Sequence, residues 1–274
     1  MFKSLFFSIF LLLTFNSCIS PIKLSKESLN KIDKDVKTTF SPTSQKANWA
    51  YFGTAISQFS WKYDTLTSWQ NSNEMLMKAS HQWLGVPSKD CVALHNPDFQ
   101  QFSKRLYDFS QQLPSEKTLI LFLGTHHLNN GNLLFVNDQN VTPQEFLDSL
   151  KPIKNKTYLL LDVCYAQKLD SLNWPTNIIP IYSSSQEEVT PEVLLERDSL
   201  NVKSFFLTHH YTVKKSLNLP YSRYSYLGLM YSHSLRRTLL NKENLEFRDI
   251  YQDMLQQQTT LHNFPRTVRL PTIP

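Results

Sequence analysis

Two apolar runs shaped like strands, each ending in a chemically capable residue, constrain this chain more than anything else in it. Residues 117–124 lead straight into Thr125, His126 and His127, and residues 157–161 lead into Asp162, Val163 and Cys164. If both strands lie in one parallel sheet, an imidazole and a thiol leave it at the same carboxyl edge. Open α/β sheets gather their ligands and chemistry at that edge. A thiol beside a histidine is the minimal apparatus for covalent acyl transfer.

The surrounding pattern alternates strand and helix from Asn48 onward. Residues 49–56 read as a strand. Over residues 72–84, Met75, Leu76, Ala79 and Trp83 share one helical face, and Gly85, Val86 and Pro87 end the helix. Residues 91–95 make a short strand. Asn96 is then expected to cap a helix with Pro97 in its first turn and Phe99, Phe102, Leu106, Phe109 and Leu113 on its buried stripe. Behind a turn at Asn129, Asn130 and Gly131, residues 132–136 read as a hairpin arm. Thr142 and Glu145 form a capping box for a short helix through Leu150. A strand at 177–182, a long polar stretch at 183–223, helices at 226–240 and 245–257, and a last strand at 267–270 complete the series. Such alternation predicts a mostly parallel sheet with helices on both faces, in a single domain over residues 48–274.

At 274 residues with 41% hydrophobic and 13% aromatic content, the chain can bury a substantial core. The net charge of +5 comes from scattered basic residues, with no stripe interleaved with stacking aromatics, so no nucleic acid partner is expected. Lys3, the apolar run 5–15 and the small residues before Cys18 read as a signal segment over residues 1–17, too short to span a bilayer comfortably. Its join to Cys18 resembles the lipidation box of bacterial lipoproteins, with Phe15 where leucine is commoner. Cys18 would then be the acylated first residue and residues 18–47 a polar tether reaching on the order of 30 Å. The expected location is the bacterial cell envelope, lipid-anchored to a membrane; the alternative is a secreted product. A disulfide between Cys91 and Cys164 competes with any use of Cys164 as a nucleophile.

The stretches 122–127 and 161–166 resemble the two site motifs of caspase-like cysteine peptidases, the superfamily of caspases, metacaspases, legumains and gingipains. Members carry His-Gly after one central strand and an acidic residue or glutamine two positions before a cysteine after the next. The opening strand, the turn at residues 84–87, the helix before the histidine strand, the closing helices, and Pro265 with Arg266 follow in metacaspase-like order. The resemblance covers roughly residues 48–274. It implies a three-layer α/β/α sandwich with a mostly parallel six-stranded sheet, acting on a peptide or protein substrate without a cofactor. It makes Cys164 the nucleophile and His126 the general acid and base, with an oxyanion site from the backbone N–H groups of Cys164 and His127. The family's glycine is replaced at His127, which keeps the N–H but not glycine's conformational freedom. Asp162 would line the pocket for the residue before the cut bond and select arginine or lysine. Residues 181–187 resemble the pocket's other wall, which brings in Ser184 and Glu187 as substrate-binding residues.

Chemistry alone supports part of this. A thiol becomes a good nucleophile when a cation or a helix amino terminus lowers its pKa, and a helix starting near Tyr165 could supply that dipole. Two other classes stay open. One is a catalytically inactive caspase-like module that binds peptides or proteins at the envelope. The other is a zinc protein using His126, His127, His209, His210 and a cysteine, for which no CxxC or HExxH spacing exists, so no metal is expected. No carboxylate cluster suggests calcium.

Overall fold

In the computed structural model, which describes residues 48–60, 67–184, 192–194, 217, 219, 223–241 and 245–260, the apolar runs are strands and the amphipathic stretches are the helices covering them. In chain order the elements are β1 (Trp49–Ala55), α1 (Thr67–Trp83), β2 (Cys91–His95), α2 (Phe99–Gln112), β3 (Thr118–Thr125), β4 (Leu133–Phe135) and β5 (Gln139–Val141). Then come α3 (Pro143–Leu150), β6 (Thr157–Val163), β7 (Ile178–Tyr182), β8 (Glu192–Leu194), β9 (Arg223–Ser225), α4 (Tyr226–Asn241) and α5 (Phe247–Thr260).

One sheet is wholly parallel, in the order β2-β1-β3-β6-β7. β1, β3 and β6 are buried along nearly their whole length, which is why they read as unbroken apolar runs. Side chains nevertheless alternate between two cores. Trp49, Tyr51, Ile120, Phe122, Tyr158 and Leu160 face the core that includes α1, α4 and α5. Ala50, Phe52, Leu121, Leu123, Leu159 and Leu161 face the one covered by α2 and α3. At about 1.5–3 kcal/mol for each large side chain taken out of water, these two cores are the main favourable term in folding. The result is a three-layer α/β/α sandwich with five parallel strands among the described residues. The expected strand at 267–270 lies outside them.

Handedness explains why the helices divide as they do. The step from β1 to β2 runs one way along the sheet, and those from β2 to β3 and β3 to β6 run the other. Crossovers of a single hand then need α1 on one face and α2 and α3 on the opposite one. Small ladders add to the sheet: β4 pairs with β5 and β8 with β9, both antiparallel.

Two local expectations are corrected. The cap of α2 is Asp98, whose carboxylate accepts from Gln101 N–H at 2.7 Å, while the Gln101 side chain accepts from Asp98 N–H at 3.3 Å. Asn96 instead turns into the left-handed region at φ 51, and its Oδ1 accepts from the N–H groups of Ser57 and Gln58. Helix α1 starts at Thr67, earlier than the predicted residue 72, and this brings Trp69 onto the sheet. Trp69 sits over Gly124, where a Cβ would lie 2.7 Å from the Trp69 Cβ and Cγ; only glycine permits this approach.

Candidate active site

The carboxyl edge of β3 and β6 collects most of the residues singled out in the sequence. β3 pairs with β6 so that Gly124 lies opposite Asp162 and Thr125 opposite Val163. His126 and Cys164 are the next residue on each strand. Both are partly exposed, so neither is sealed in the core. Alternation assigns residues 120, 122, 124 and 126 to the α1 side of the sheet, and residues 158, 160, 162 and 164 to that same side. The His126 ring confirms its placement: it meets Trp69 of α1 edge-on at 5.2 Å and Phe59 at 4.6 Å. Cys91 and Cys164 are both thiols, not joined in a disulfide. Cys91 starts β2 at the amino edge of the sheet, and its pKa is pushed up to about 12, first by burial and then by Asp90.

After Cys164 the chain makes a tight elbow. Tyr165 adopts φ 53 and ψ 31, a left-handed conformation that costs a residue with a Cβ on the order of 1 kcal/mol. Several ties hold it. The Ser183 hydroxyl accepts from Val163 N–H at 3.2 Å, and the Ser184 hydroxyl accepts from Ala166 N–H at 3.0 Å. Lys168 lies over the Tyr165 ring at 4.7 Å. His127 Nδ1 lies 2.8 Å from the Cys164 carbonyl oxygen. The predicted helix after Cys164 is a six-residue 3-10 turn, Ala166–Ser171. Its N–H groups at Ala166 and Gln167 are taken by Ser184, so they do not point at the thiol.

His127 is buried and avoids the positive φ values found at Asn96, Asn137, Asp138 and Tyr165. No glycine-like conformation is therefore required at this position. Leu128 N–H donates to Asn132 O and Leu134 N–H to His126 O, which forms a bridge between His127 and Leu133. In this pattern the His127 N–H is directed away from the Leu133 strand. Gly124 O accepts from Ile56 N–H on the β1 side, and His126 O lies on that same side by alternation. The N–H of His127 accordingly faces the β6 side, where Cys164 lies.

Asp162 is fully buried and neither carboxylate oxygen makes a well-formed hydrogen bond among the described residues. Burial pushes its pKa up to about 7, against smaller lowering influences from Ser225, Trp69, Gly228 N–H and Ser183 close by. Ser184, also expected at the substrate, has no exposed surface here and instead pins the Cys164 elbow. Glu187, Cys18, His209 and His210 lie outside the described residues. Among the described residues no group of three His, Cys, Asp or Glu could hold a metal ion. Sequence reasoning missed Trp69, Phe59 and Ser225, and placed Ser183 only within the pocket wall at residues 181–187; the roles of all four arise from contacts between distant segments. It read Tyr165 as the start of a helix, and nothing local marks the left-handed turn found there.

No protein-family model matches the sequence, and no curated protein is similar to it in sequence. Among solved structures, that of caspase-1 from Spodoptera frugiperda is similar to this chain with a TM-score of 0.51. The likeness covers 87% of this chain and 83% of the caspase, at 10% sequence identity. At that identity the likeness shows the fold alone, and the fold is caspase-like.

Proposed function

We propose that this chain is a cysteine endopeptidase in which Cys164 and His126 cut peptide bonds, after arginine or lysine. The observation that carries the reading is the parallel register of β3 and β6. It makes the imidazole and the thiol the next residues on neighbouring strands at one open edge.

In this mechanism Cys164 gives its proton to His126 and the sulfur adds to the scissile carbonyl. The carbonyl oxygen becomes an oxyanion held by the N–H groups of Cys164 and His127. His126 returns the proton to the leaving amine, and a thioester remains on Cys164. Water, deprotonated by His126, then adds to the thioester and releases the acid. Asp162 supplies the negative charge for a basic substrate side chain. Its carboxylate is fully buried beside Trp69 and Ser225, so a basic side chain reaches it only if the groups that enclose it move aside. Arrival of a cation also favours the ionised form of Asp162, drawing its pKa down from about 7.

The test is turnover of fluorogenic peptides ending in arginine, lysine or aspartate, from mildly acid to mildly alkaline pH, with and without calcium. Turnover of the basic peptides by the wild type, abolished in Cys164→Ala and His126→Ala, is expected. Silence of the wild type, or equal turnover by Cys164→Ala, sinks the proposal. The short turn after Cys164, whose Ala166 and Gln167 N–H groups are taken by Ser184 and do not activate the thiol, favours one rival, an inactive module that binds peptides without cutting them. Covalent capture of Cys164 by a lysine-bearing acyloxymethyl ketone, dependent on His126, eliminates that rival.

A further inference from the structure

We infer that the His127 side chain is a positioning residue that clamps the Cys164 carbonyl and thereby sets the spacing between the His126 imidazole and the thiol. The inference rests on the peptidase reading and extends the role of His127 from its backbone to its ring.

Both ring nitrogens of His127 face acceptors. Nδ1 lies 2.8 Å from Cys164 O and Nε2 lies 3.1 Å from Gly131 O. A carbonyl oxygen only accepts, so the ring must donate in either contact, and a neutral imidazole has one N–H to give. Burial holds the ring's pKa below the usual histidine range, with Lys168 adding to the effect. The carbonyls of Cys164, Gly131 and Tyr165 oppose the shift without cancelling it. Near neutral pH the ring is therefore neutral, and the shorter contact assigns its hydrogen to Nδ1, bonded to Cys164 O.

What that bond does follows from where it starts. Ser183 and Ser184 follow β7, and Lys168 lies in the turn after Cys164, so these ties hold the elbow from the β6 and β7 side. His127 reaches it from β3 and is the immediate neighbour of His126. A single peptide unit thus carries both the candidate base and the clamp on the candidate nucleophile's own carbonyl. Tyr165, left-handed at φ 53, is the residue whose orientation would relax if the clamp opened. Loss of the bond would let the Cys164 peptide rotate and the thiol drift from His126.

Three full-length variants separate the roles of the ring. His127→Asn places an amide N–H where Nδ1 is, His127→Gln places one near Nε2, and His127→Leu removes both. The readout is the rate of Cys164 alkylation by iodoacetamide against pH, with the labelled residue identified by peptide mass spectrometry. His127→Asn should retain most of the wild-type rate, while His127→Gln and His127→Leu fall about tenfold and show a thiol pKa moved upward. A folded His127→Leu with the wild-type profile, or a folded His127→Asn as slow as His127→Gln, overturns the inference. If His127→Leu fails to fold, the comparison of Asn with Gln still decides. A nitrogen-15 spectrum of the wild type gives an independent check: the Nδ1–H tautomer at His127 is expected, and the Nε2–H tautomer contradicts it. Indifference of Cys164 alkylation to His126→Ala would defeat the peptidase reading instead, leaving the tautomer result untouched.

Discussion

Asp162 concentrates the tension between stability and function at a single residue. Its carboxyl keeps a proton up to about pH 7 in the folded protein, against an ordinary value of 3.8. Between those values the folded state binds more protons than the unfolded one, so stability falls as pH rises through the interval. The contribution is fully present below the ordinary value and gone above about pH 7, and its size is on the order of a few kcal/mol. Asp162→Asn cannot titrate. Its urea midpoint should fall less than that of the wild type between pH 4 and 7, and should exceed it at pH 8. The same variant should lose its preference for basic over neutral peptides. Parallel stability profiles for the two proteins would mean that burial does not govern this carboxyl. The acidic position was visible in the sequence because it stands two residues before a cysteine. Its enclosure was not, because Trp69, Ser225 and Gly228 reach it from α1, β9 and α4.

At the scale of elements, local signals were read well wherever the partners of a backbone group were close in sequence. The capping box of α3 is present as expected, with Thr142 and Glu145 in reciprocal bonds. The start of α2 shows where such reading slips. Asn96 and Asp98 both suit a cap, and Pro97 fits the first turn after the former. Gln101, three residues after Asp98, was the available discriminating signal, since it completes the reciprocal pair. Asn96 is committed elsewhere by Ser57 and Gln58, thirty-eight residues or more away in sequence. Replacing Asp98 with Ala should lower stability by about 1 kcal/mol, measured by chemical denaturation, and leave peptide turnover unchanged. A loss indistinguishable from zero would show that the cap is not what holds α2. The early start of α1 was passed over although Thr67 and Gln70 suit a helix start, and it brings Trp69 to the place where Gly124 leaves it room.

For the molecule as a whole, the direction of the strands relates any anchor to the cleft. Trp49 begins β1 at the amino edge of the parallel sheet, while His126 and Cys164 follow the carboxyl ends of β3 and β6. A seven-residue strand spans roughly 20 Å, so the two edges are well separated. We propose that acylation at Cys18 and the tether over residues 18–47 attach the domain at the amino edge of its sheet, the edge opposite the cleft. No helix among the described residues is long and apolar enough to cross a membrane. Growth with a fatty-acid analogue should label the full-length protein, and Cys18→Ala should lose both the label and its membrane association. Wild-type protein that carries no label and washes free of membranes would leave secretion as the better account.

By itself the sequence determined the strands of the main sheet and the helices that cover it, their order, the layered α/β architecture and the two chain positions where a thiol and an imidazole follow apolar strands. These are written in apolar periodicity and in capping residues, which act over a few positions along the chain. The pairing of those two strands and the short strands β5, β8 and β9 came from the structure. Tertiary structure alone decided that Asp162 is enclosed and that Ser184 braces the elbow. It alone showed that a histidine in place of glycine keeps an ordinary backbone and turns its ring onto Cys164. Each of those outcomes depends on groups from distant segments meeting in a space of fixed size, and no local pattern encodes that meeting.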